Sequence, residues 1–548
     1  MTRSHMPPSE VGPDDPQVLD AAFGHGYLLL PRDQPAGRLV ERWPTRDVAG
    51  HRYHLHPRTR VTVATGAPGT LVLLGDPLDV GAGIADPDRV AARLLATWRD
   101  GDPDAVVREA AYLGGRWTAF LHPGDEGALR VVPDCAASQP VSWADGEHGP
   151  ALGSSSTLVA DALGLPPDPL TVRVYQDLAA APREHRTVMY PPGQHTEHEG
   201  VRRLPPNHLL EIGPGPHPSV RCERFWPWSD RVERTDLPAV FADFRERLTA
   251  HVGLITGLGR TGISLTAGGD SRTSLAALVP HRRPGTFAFT YYNPRQGARE
   301  GRHRADLFEA SGWAWLAGLG HLVLRWRMPG SQEALAHAWR RMFPVHPPSV
   351  GAANSMYLGL PRDLVQLASN LGEIGTANPM PRRPGEFTPR RLAELWQSAP
   401  FAAAHDHDAV FADYREATTL TPRALAGYDL HDVFYWEHRM GAWGVRKYAE
   451  GDVGHRVMLP FNDRLLLETM LSLPVAQREA KVLFVMMQDA TPELAGGLPT
   501  GPGPLGDPGL PSGWPDEEDP VGWRDLVAAR PRLREELLPR IRRRGGRT

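Results

Sequence analysis

Gly262-Ile263-Ser264-Leu265-Thr266-Ala267-Gly268-Gly269-Asp270-Ser271-Arg272, followed by Thr273-Ser274-Leu275-Ala276-Ala277-Leu278, is the stretch that decides how the chain is read. A short apolar run ends in paired glycines, an acid and a hydroxyl residue, and an Ala/Leu-rich amphipathic segment follows. That order predicts a strand, a tight turn and a helix start. Glycine lets the backbone approach an anion closely, and the free N–H groups of a first helical turn, at the positive end of the helix dipole, can hold it. Asp270 would repel a phosphate, so its natural task in such a loop is to hold Mg²⁺. Ser271 is suited either to capping the helix or to bonding a phosphate oxygen. No Gly-Lys-Ser/Thr follows, so this is not a Walker loop, and no G-x-G-x-x-G is present for dinucleotide binding. An ordinary strand-to-helix turn has the same glycine spacing, so the neighbouring sequence has to decide.

A chain of 548 residues predicts two or more domains, each burying its own core. Hydrophobic content of 41% and charged content of 23% are those of a globular protein, and a net charge of −4 predicts no general affinity for nucleic acid or an anionic membrane. No apolar run is long enough to span a bilayer and no charged-then-apolar leader opens the chain, which points to a cytoplasmic protein. With Cys135 and Cys222 as the only cysteines, neither a disulfide framework nor a cysteine zinc site is available. Lys447 and Lys481 are the only lysines, so any mechanism that needs one has two candidates.

Working outward toward the N-terminus, residues 1–16 are polar and Pro-rich and are expected to be disordered. Thr62 to Leu74 reads as β structure closing on Gly75-Asp76-Pro77, and Asp88 to Ala111 as helical. Trp117 to Leu121, Leu129 to Pro133 and Pro140 to Trp143 read as short strands. Toward the C-terminus, an amphipathic helix spans Leu237 to Ile255 and leads into the loop. Strand Thr286 to Tyr291, a helix around Arg304 to Ser311 and strand His321 to Trp326 come next. Strand, helix, strand, with the loop first, predicts a doubly wound α/β sheet whose ligand sits at the carboxyl ends of the strands. Leu498 to Pro515 reads as a loose loop and Arg540 to Arg547 as a solvated tail.

The loop resembles the pyrophosphatase loop, Ser-Gly-Gly-x-Asp-Ser, of the asparagine-synthetase-like ATP-dependent ligases. Thr266 and Ala267 replace its first Ser and Gly, while Gly268, Asp270 and Ser271 match. The resemblance extends over residues 60–490. Leu113-Gly114-Gly115-Arg116-Trp117, Asp134-Cys135-Ala136 leading to Pro140, and Gly153-Ser154-Ser155 are similar to the family's N-terminal glutaminase-type half. Leu204 to Leu210 and Arg224-Phe225-Trp226-Pro227 resemble the linker between its domains. Ser369-Asn370-Leu371-Gly372-Glu373 stands where the family has Ser-Gly-Glu/Gly-Gly-x-Asp-Glu, and Leu459-Pro460-Phe461-Asn462-Asp463 is close to its Pro-Phe-Leu-Asp. Arg456 stands two positions too early for the family's Glu-x-Arg.

The resemblance implies an α+β and α/β protein: a degenerate glutaminase-like (Ntn-type) β-sandwich over residues 17–230, then an ATP-pyrophosphatase domain over 231–548. It implies adenylation of a carboxylate by ATP, loss of pyrophosphate, and attack of an amine to form an amide. In that scheme Thr266, Ala267, Gly268, Gly269, Asp270 and Ser271 cradle pyrophosphate. Phe289 and Thr290, with Thr266, lie beside adenine, and Ser369 and Gly372 touch the α-phosphate. Asp270 and Glu373 hold Mg²⁺, and Lys481, in the place of a Lys-x-x-Leu, or else Lys447, neutralises the phosphate. Glu437, His438 and Arg439 either form an internal salt-bridged helix face or line the acceptor pocket.

In the family's glutamine-dependent members the nucleophile is an N-terminal cysteine whose free amine is its base. Here Thr2 follows Met1 and Pro7 follows Met6. The expected amine is therefore not ammonia from glutamine but a group on a peptide or small-molecule substrate, as in the family's lasso-peptide cyclases and β-lactam synthetases. For the first of these a precursor-peptide-binding partner protein is also implied. The contrasting expectation is a catalytically degenerate binding or scaffold member. The first half should accordingly release no glutamate when the purified chain is incubated with glutamine; turnover that is lost on blocking the N-terminus would overturn this.

Overall fold

The computed structural model describes residues 11–100, 103–124, 127–185, 189–215, 218–293, 301–377, 382 and 387–498. Its first half is built on two six-stranded sheets, each antiparallel throughout. In one sheet the central strand Tyr27–Pro31 lies between His51–Leu55 and Ala151–Gly153. In the other, Gly69–Leu78 and Gly114–Pro123 pair over ten residues. Alternation along the strands sends Tyr27, Leu29, Val72, Leu74, Phe120 and Val131 into the space between the sheets. Leu71, Leu73, Trp117 and Leu121 point the other way, onto helices Pro87–Asp100 and Pro103–Ala111. The outer face of the first sheet is covered by Val18, Leu158 and Val159 together with Leu335, Ala338 and Trp339 from the second half. The result is a helix–sheet–sheet–helix stack.

Several elements differ from the sequence reading for local reasons. The β structure expected over Thr62 to Leu74 is a hairpin, Val61–Gly66 and Gly69–Leu78, turned at Ala67-Pro68. The helix expected over Asp88 to Ala111 is two, the second opening on Pro103, which has no N–H to continue a helix but suits its first turn. Residues 11–15 do not behave as the disordered leader expected for 1–16: Val11 N donates to Gln332 O at 3.0 Å, and Asp15 caps the helix Pro16–Ala21. Residues 1–10 lie outside the described residues, as do the tail at 540–547 and the loop at 499–515.

The second half carries a five-stranded parallel sheet. Its strands are β1 (Arg260–Ser264), β2 (Phe287–Tyr292), β3 (Gly320–Arg325), β4 (Leu364–Leu367) and β5 (Arg456–Met458), in the order β3-β2-β1-β4-β5. The doubly wound arrangement expected from the sequence is thus present. Helix α1 (Leu237–Gly257), capped by Asp236 accepting from Ala239 N at 3.2 Å, precedes the sheet, and α2 (Gly269–Leu278) follows β1. Because the order reverses between β1 and β4, the chain leaves these neighbours in opposite directions and opens a crevice at their carboxyl ends.

The stretch read as a linker is not one. His208–Ile212 and Val220–Arg224 are the closing hairpin of a sandwich sheet, and the residues around them are anchors into the second half. Trp226 is buried and donates to Glu468 Oε1 at 2.7 Å; Arg224 pairs with the buried Glu437 at 2.5 and 2.7 Å. Asn207, fully buried, donates to Glu437 Oε1 at 2.9 Å and accepts from Arg464. The Gly114-Gly115 pair has a similar explanation. Gly115 has φ +88°, and its N–H donates to His251 Nε2 of α1 at 3.1 Å. A Cβ at Gly114 would stand 2.7 Å from that same nitrogen.

Arg116 makes another of these joints, with both terminal nitrogens 3.0 Å from the two oxygens of Asp452, and further bonds to Val457 O at 2.8 Å and Ser138 O at 2.9 Å. Arg116 and Asp452 are both buried. Replacing one partner of such a pair leaves a buried charge uncompensated. Asp452→Asn should therefore lower the unfolding free energy by about 3–5 kcal/mol in urea denaturation; a change below about 0.5 kcal/mol, the scale of a surface substitution, would show the joint to be dispensable.

Candidate active site

The loop after β1 and the loop after β4 meet in the crevice where the strand order reverses. The first is held in shape by its own hydroxyls. Ser271 Oγ lies 3.0 Å from both Thr266 O and Gly268 O and accepts from Thr266 N at 3.2 Å, while Thr266 Oγ1 accepts from Gly268 N at 3.1 Å. Ser271 therefore does not cap α2. It is the third residue of the helix, Gly268 is the cap residue, and the hydroxyl is spent on closing the loop. The first bond closing the helix runs from Arg272 N to Gly268 O at 3.2 Å, so the N–H groups of Gly269, Asp270 and Ser271 are not consumed by the helix and stand at its positive end. Ala267 and Gly268 form the lip of this turn.

After β4 the chain passes Ser369 and turns through Leu371, at φ +82°, into the single helical turn Gly372–Gly375. This brings Gly372 against Asp270: a Cβ at Gly372 would lie 2.6 Å from Asp270 Oδ1 and within 3.2–3.3 Å of the rings of Phe484 and Phe461. Glycine is required here by the close approach of a carboxylate. Asp270 Oδ1, Ser369 Oγ and Glu373 Oε2 are all buried without a hydrogen-bond partner. Burial and the Asp270 charge push Glu373 from its ordinary 4.5 up to about 7. Asp270 is raised by burial and held down in part by Lys481. Two carboxylates forced together in a dry crevice, with oxygens unsatisfied, are a donor set for a hard cation. Mg²⁺ keeps most of its waters and takes only one or two protein carboxylates, so the pair fits it. Among the described residues no cluster of three or more His, Cys, Asp or Glu forms a metal site.

The two lysines are placed differently. Lys481 has a left-handed backbone, φ +53°, at the start of the helix Val482–Asp489; its chain passes the turn, with Cδ 4.0 Å from where a Cβ at Gly269 would be, and its charge reaches Asp270. Lys447, on the helix Val445–Asp452, is bonded to Glu450 at 2.5 Å and lies 5.2 Å over the ring of Tyr291 at the end of β2. Burial works against its charge, but Tyr291 and Glu450 hold its pKa above the ordinary value, so this lysine is already paired.

Two residues expected beside adenine are committed elsewhere. Phe289 is fully buried in the cluster with Leu324, Met356 and Leu360, because alternation on β2 points it beneath the sheet. Its carbonyl accepts from Leu265 N at 2.9 Å. Thr290 Oγ1 donates to Leu265 O at 2.6 Å and is 2.9 Å from His321 Nε2. Glu437, His438 and Arg439 divide. Glu437 pairs with Arg224; His438 is buried, stacked on Phe434 at 4.7 Å, and kept neutral by burial and by Arg203 and Arg439. Arg439 alone reaches the crevice: its charge acts on Glu373, and it lies 5.0 Å over Trp443 and 5.6 Å over Tyr435. Spacing could not reveal this, because Tyr435–Gly444 is a π-helix, whose wider turn rotates side chains off the faces an α-helix would give them.

No protein-family model matches the sequence, and no curated protein matches it. Among solved structures the chain is similar to a glutamine phosphoribosylpyrophosphate amidotransferase from B. subtilis complexed with ADP and GMP. The identity is 12% and the TM-score 0.23, covering 66% of this chain and 73% of that one. It is also similar to the allosteric regulatory enzyme of purine biosynthesis, at 12% identity and TM-score 0.24, covering 73% and 74%. Scores at this level carry neither fold nor function across. No described helix is long and apolar enough to cross a membrane.

A carboxyl whose pKa is raised on folding lends stability below its unfolded value and loses it as pH rises through the folded one. For Glu373 that window runs from about 4.5 to about 7. Glu373→Gln should therefore gain on the order of 2–3 kcal/mol relative to wild type between pH 5 and pH 8. At pH 8 saturating Mg²⁺ should raise the melting temperature of wild type and not of Glu373→Gln. A pH-independent difference would mean that neither burial nor the Asp270 charge raises Glu373.

Proposed function

We propose that the chain is an ATP-dependent, AMP-forming ligase that joins a carboxylate to an amine. The observation that supports this most directly is the unsatisfied pair Asp270 and Glu373 at the point where the parallel strand order reverses, with Lys481 beside it. The free N–H groups of Gly269, Asp270 and Ser271 receive the pyrophosphate oxygens, and Thr266, Ala267 and Gly268 shape the turn around them. Ser369 Oγ and the backbone at Gly372 face the α-phosphate. Asp270 and Glu373 would hold Mg²⁺, which when bound supplies charge neutralisation for the departing phosphate. Lys481, mobile on an exposed stem, follows the charge as it moves from the reacting phosphate to the oxyanion of the amide-forming step. Arg439 meets the substrate carboxylate from the opposite wall.

The substrate we favour is a peptide or other natural-product acid carrying or meeting its own amine, as in macrolactam formation; β-lactam closure is the small-molecule version of the same step. A partner protein that presents a precursor peptide belongs to the first case. A scaffold role draws on one observation: the hydroxyls of Ser271 and Thr290 are both used within the fold.

Exchange of labelled pyrophosphate into ATP, dependent on an added acid, is the deciding measurement. Asp270→Asn should abolish it, by on the order of 10²-fold or more. Lys481→Ala should leave ATP affinity within a few-fold and lower turnover by roughly 10²-fold, the scale of losing one transition-state donor. Lys447→Ala should do much less, because that lysine is paired with Glu450. Equal, small effects from the two lysine variants would remove both from the phosphates, and no exchange with any acid would favour the scaffold.

A further inference from the structure

On the sandwich side of the helical segment Tyr435–Asp452 lies a cavity of about 140 Å³. Neither carboxylate of the crevice and neither lysine lines it. One part of its wall is apolar, formed by Val141, Leu204, Met342, Phe343, Val445 and Ala449. A volume near 150 Å³ accommodates a benzene-sized molecule, so the space suits a ligand of roughly six heavy atoms.

The rest of the wall is mainly polar and carries three arginines, Arg116, Arg203 and Arg446. Arg116 is matched by Asp452, and Arg446 by Glu197. Arg203 has no such match. Its Nη1 donates to His195 O at 2.8 Å and its Nη2 to Gly193 O, while Nε is buried without a partner. Among the described residues no carboxylate lies within ion-pair distance of it. Burial lowers its pKa to about 10, which still leaves it charged at neutral pH. The other groups facing the space do not cancel that charge. His195 is bonded to Asp168, and His25 is held well below its ordinary value by burial and by Arg456, Arg58 and Arg116. The helix Ser156–Leu163 also begins here, with Ser155, Ser156 and Thr157 on the wall, and presents its positive end.

A buried cation bonded only to carbonyls is costly unless something charged completes it. A water molecule in the cavity would leave the charge standing. We infer that this cavity is a binding site for a small organic anion, a carboxylate on a short aliphatic body, with Arg203 as its counter-ion and the apolar wall around its chain. The site is independent of the ligase reading, since none of its residues belongs to the phosphate crevice.

Butyrate, butyramide and butylammonium, each offered to the full chain and followed by saturation-transfer NMR, test this. Butyrate should bind and the other two should not. Arg203→Met should weaken butyrate by roughly tenfold to a hundredfold, the range for a lost charge-assisted bond. Ala449→Leu, which fills the space and leaves the arginine in place, should do the same; it decides the matter if Arg203→Met does not fold. Butyramide binding as tightly as butyrate, undiminished butyrate binding in Ala449→Leu, or no butyrate binding by wild type would each overturn the assignment.

Discussion

The bidentate contact between Arg116 and Asp452 is the constraint from which the rest of the molecule takes its position. Arg116 belongs to the sandwich strand Gly114–Pro123, and Asp452 closes the helical run that enters β5. Asp452 also accepts from Val457 N at 3.2 Å, so the same carboxylate fixes where β5 begins. Close by, Asp134 accepts from Trp117 N, Ala136 N, Ser138 N and Gln139 N, and from Asn462 Nδ2 at 3.0 Å. A charge in such surroundings needs every bond satisfied, and here those bonds come from both halves. The sandwich thus acts as the base on which the strand ends that form the crevice are set.

The crevice obeys the opposite rule. Where both terminal nitrogens of Arg116 and both oxygens of Asp452 are paired, Asp270, Ser369 and Glu373 are left with buried oxygens that nothing among the described residues satisfies. Repulsion between the carboxylates is tolerated because the loops bearing them are fixed from outside: by Ser271 on one side, and by Phe461 and Phe484 packed on Gly372 on the other. The strain is electrostatic, and under the proposed function a cation would relieve it.

The parallel sheet was legible because each strand–helix unit is local, and its turn at 266–271 carries glycine, acid and hydroxyl in an order with few other uses. That Asp270, Glu373 and Lys481 each sit just after or before an apolar run was legible for the same reason, since the end of such a run is easy to place. What could not be read depends on partners far along the chain. Ser271 had a choice between cap and loop, and only the positions of the Thr266 and Gly268 carbonyls settle it. Phe289 and Thr290 have the composition of a ligand wall, but their roles follow from the pleat and from His321 on the next strand. Residues 204–227 read as a connection because their proline-rich, mixed composition does not reveal that Glu437, Arg464 and Glu468 wait for them more than two hundred positions later. Arg439 was hidden by the wide helical turn that displaces it.

The closing hairpin of the sandwich has a consequence for how this chain can be inherited. Asn207, Arg224 and Trp226 supply polar partners to Glu437, Arg464 and Glu468, all of which lie in the second half. Cut free at that boundary, the second half would lose those partners and expose to solvent the charges and apolar surface that the hairpin covers. The two halves therefore cannot be exchanged like modules between proteins. The first half thus contributes to the second through the partners it supplies, and a mutation in either is selected through its fit to the other.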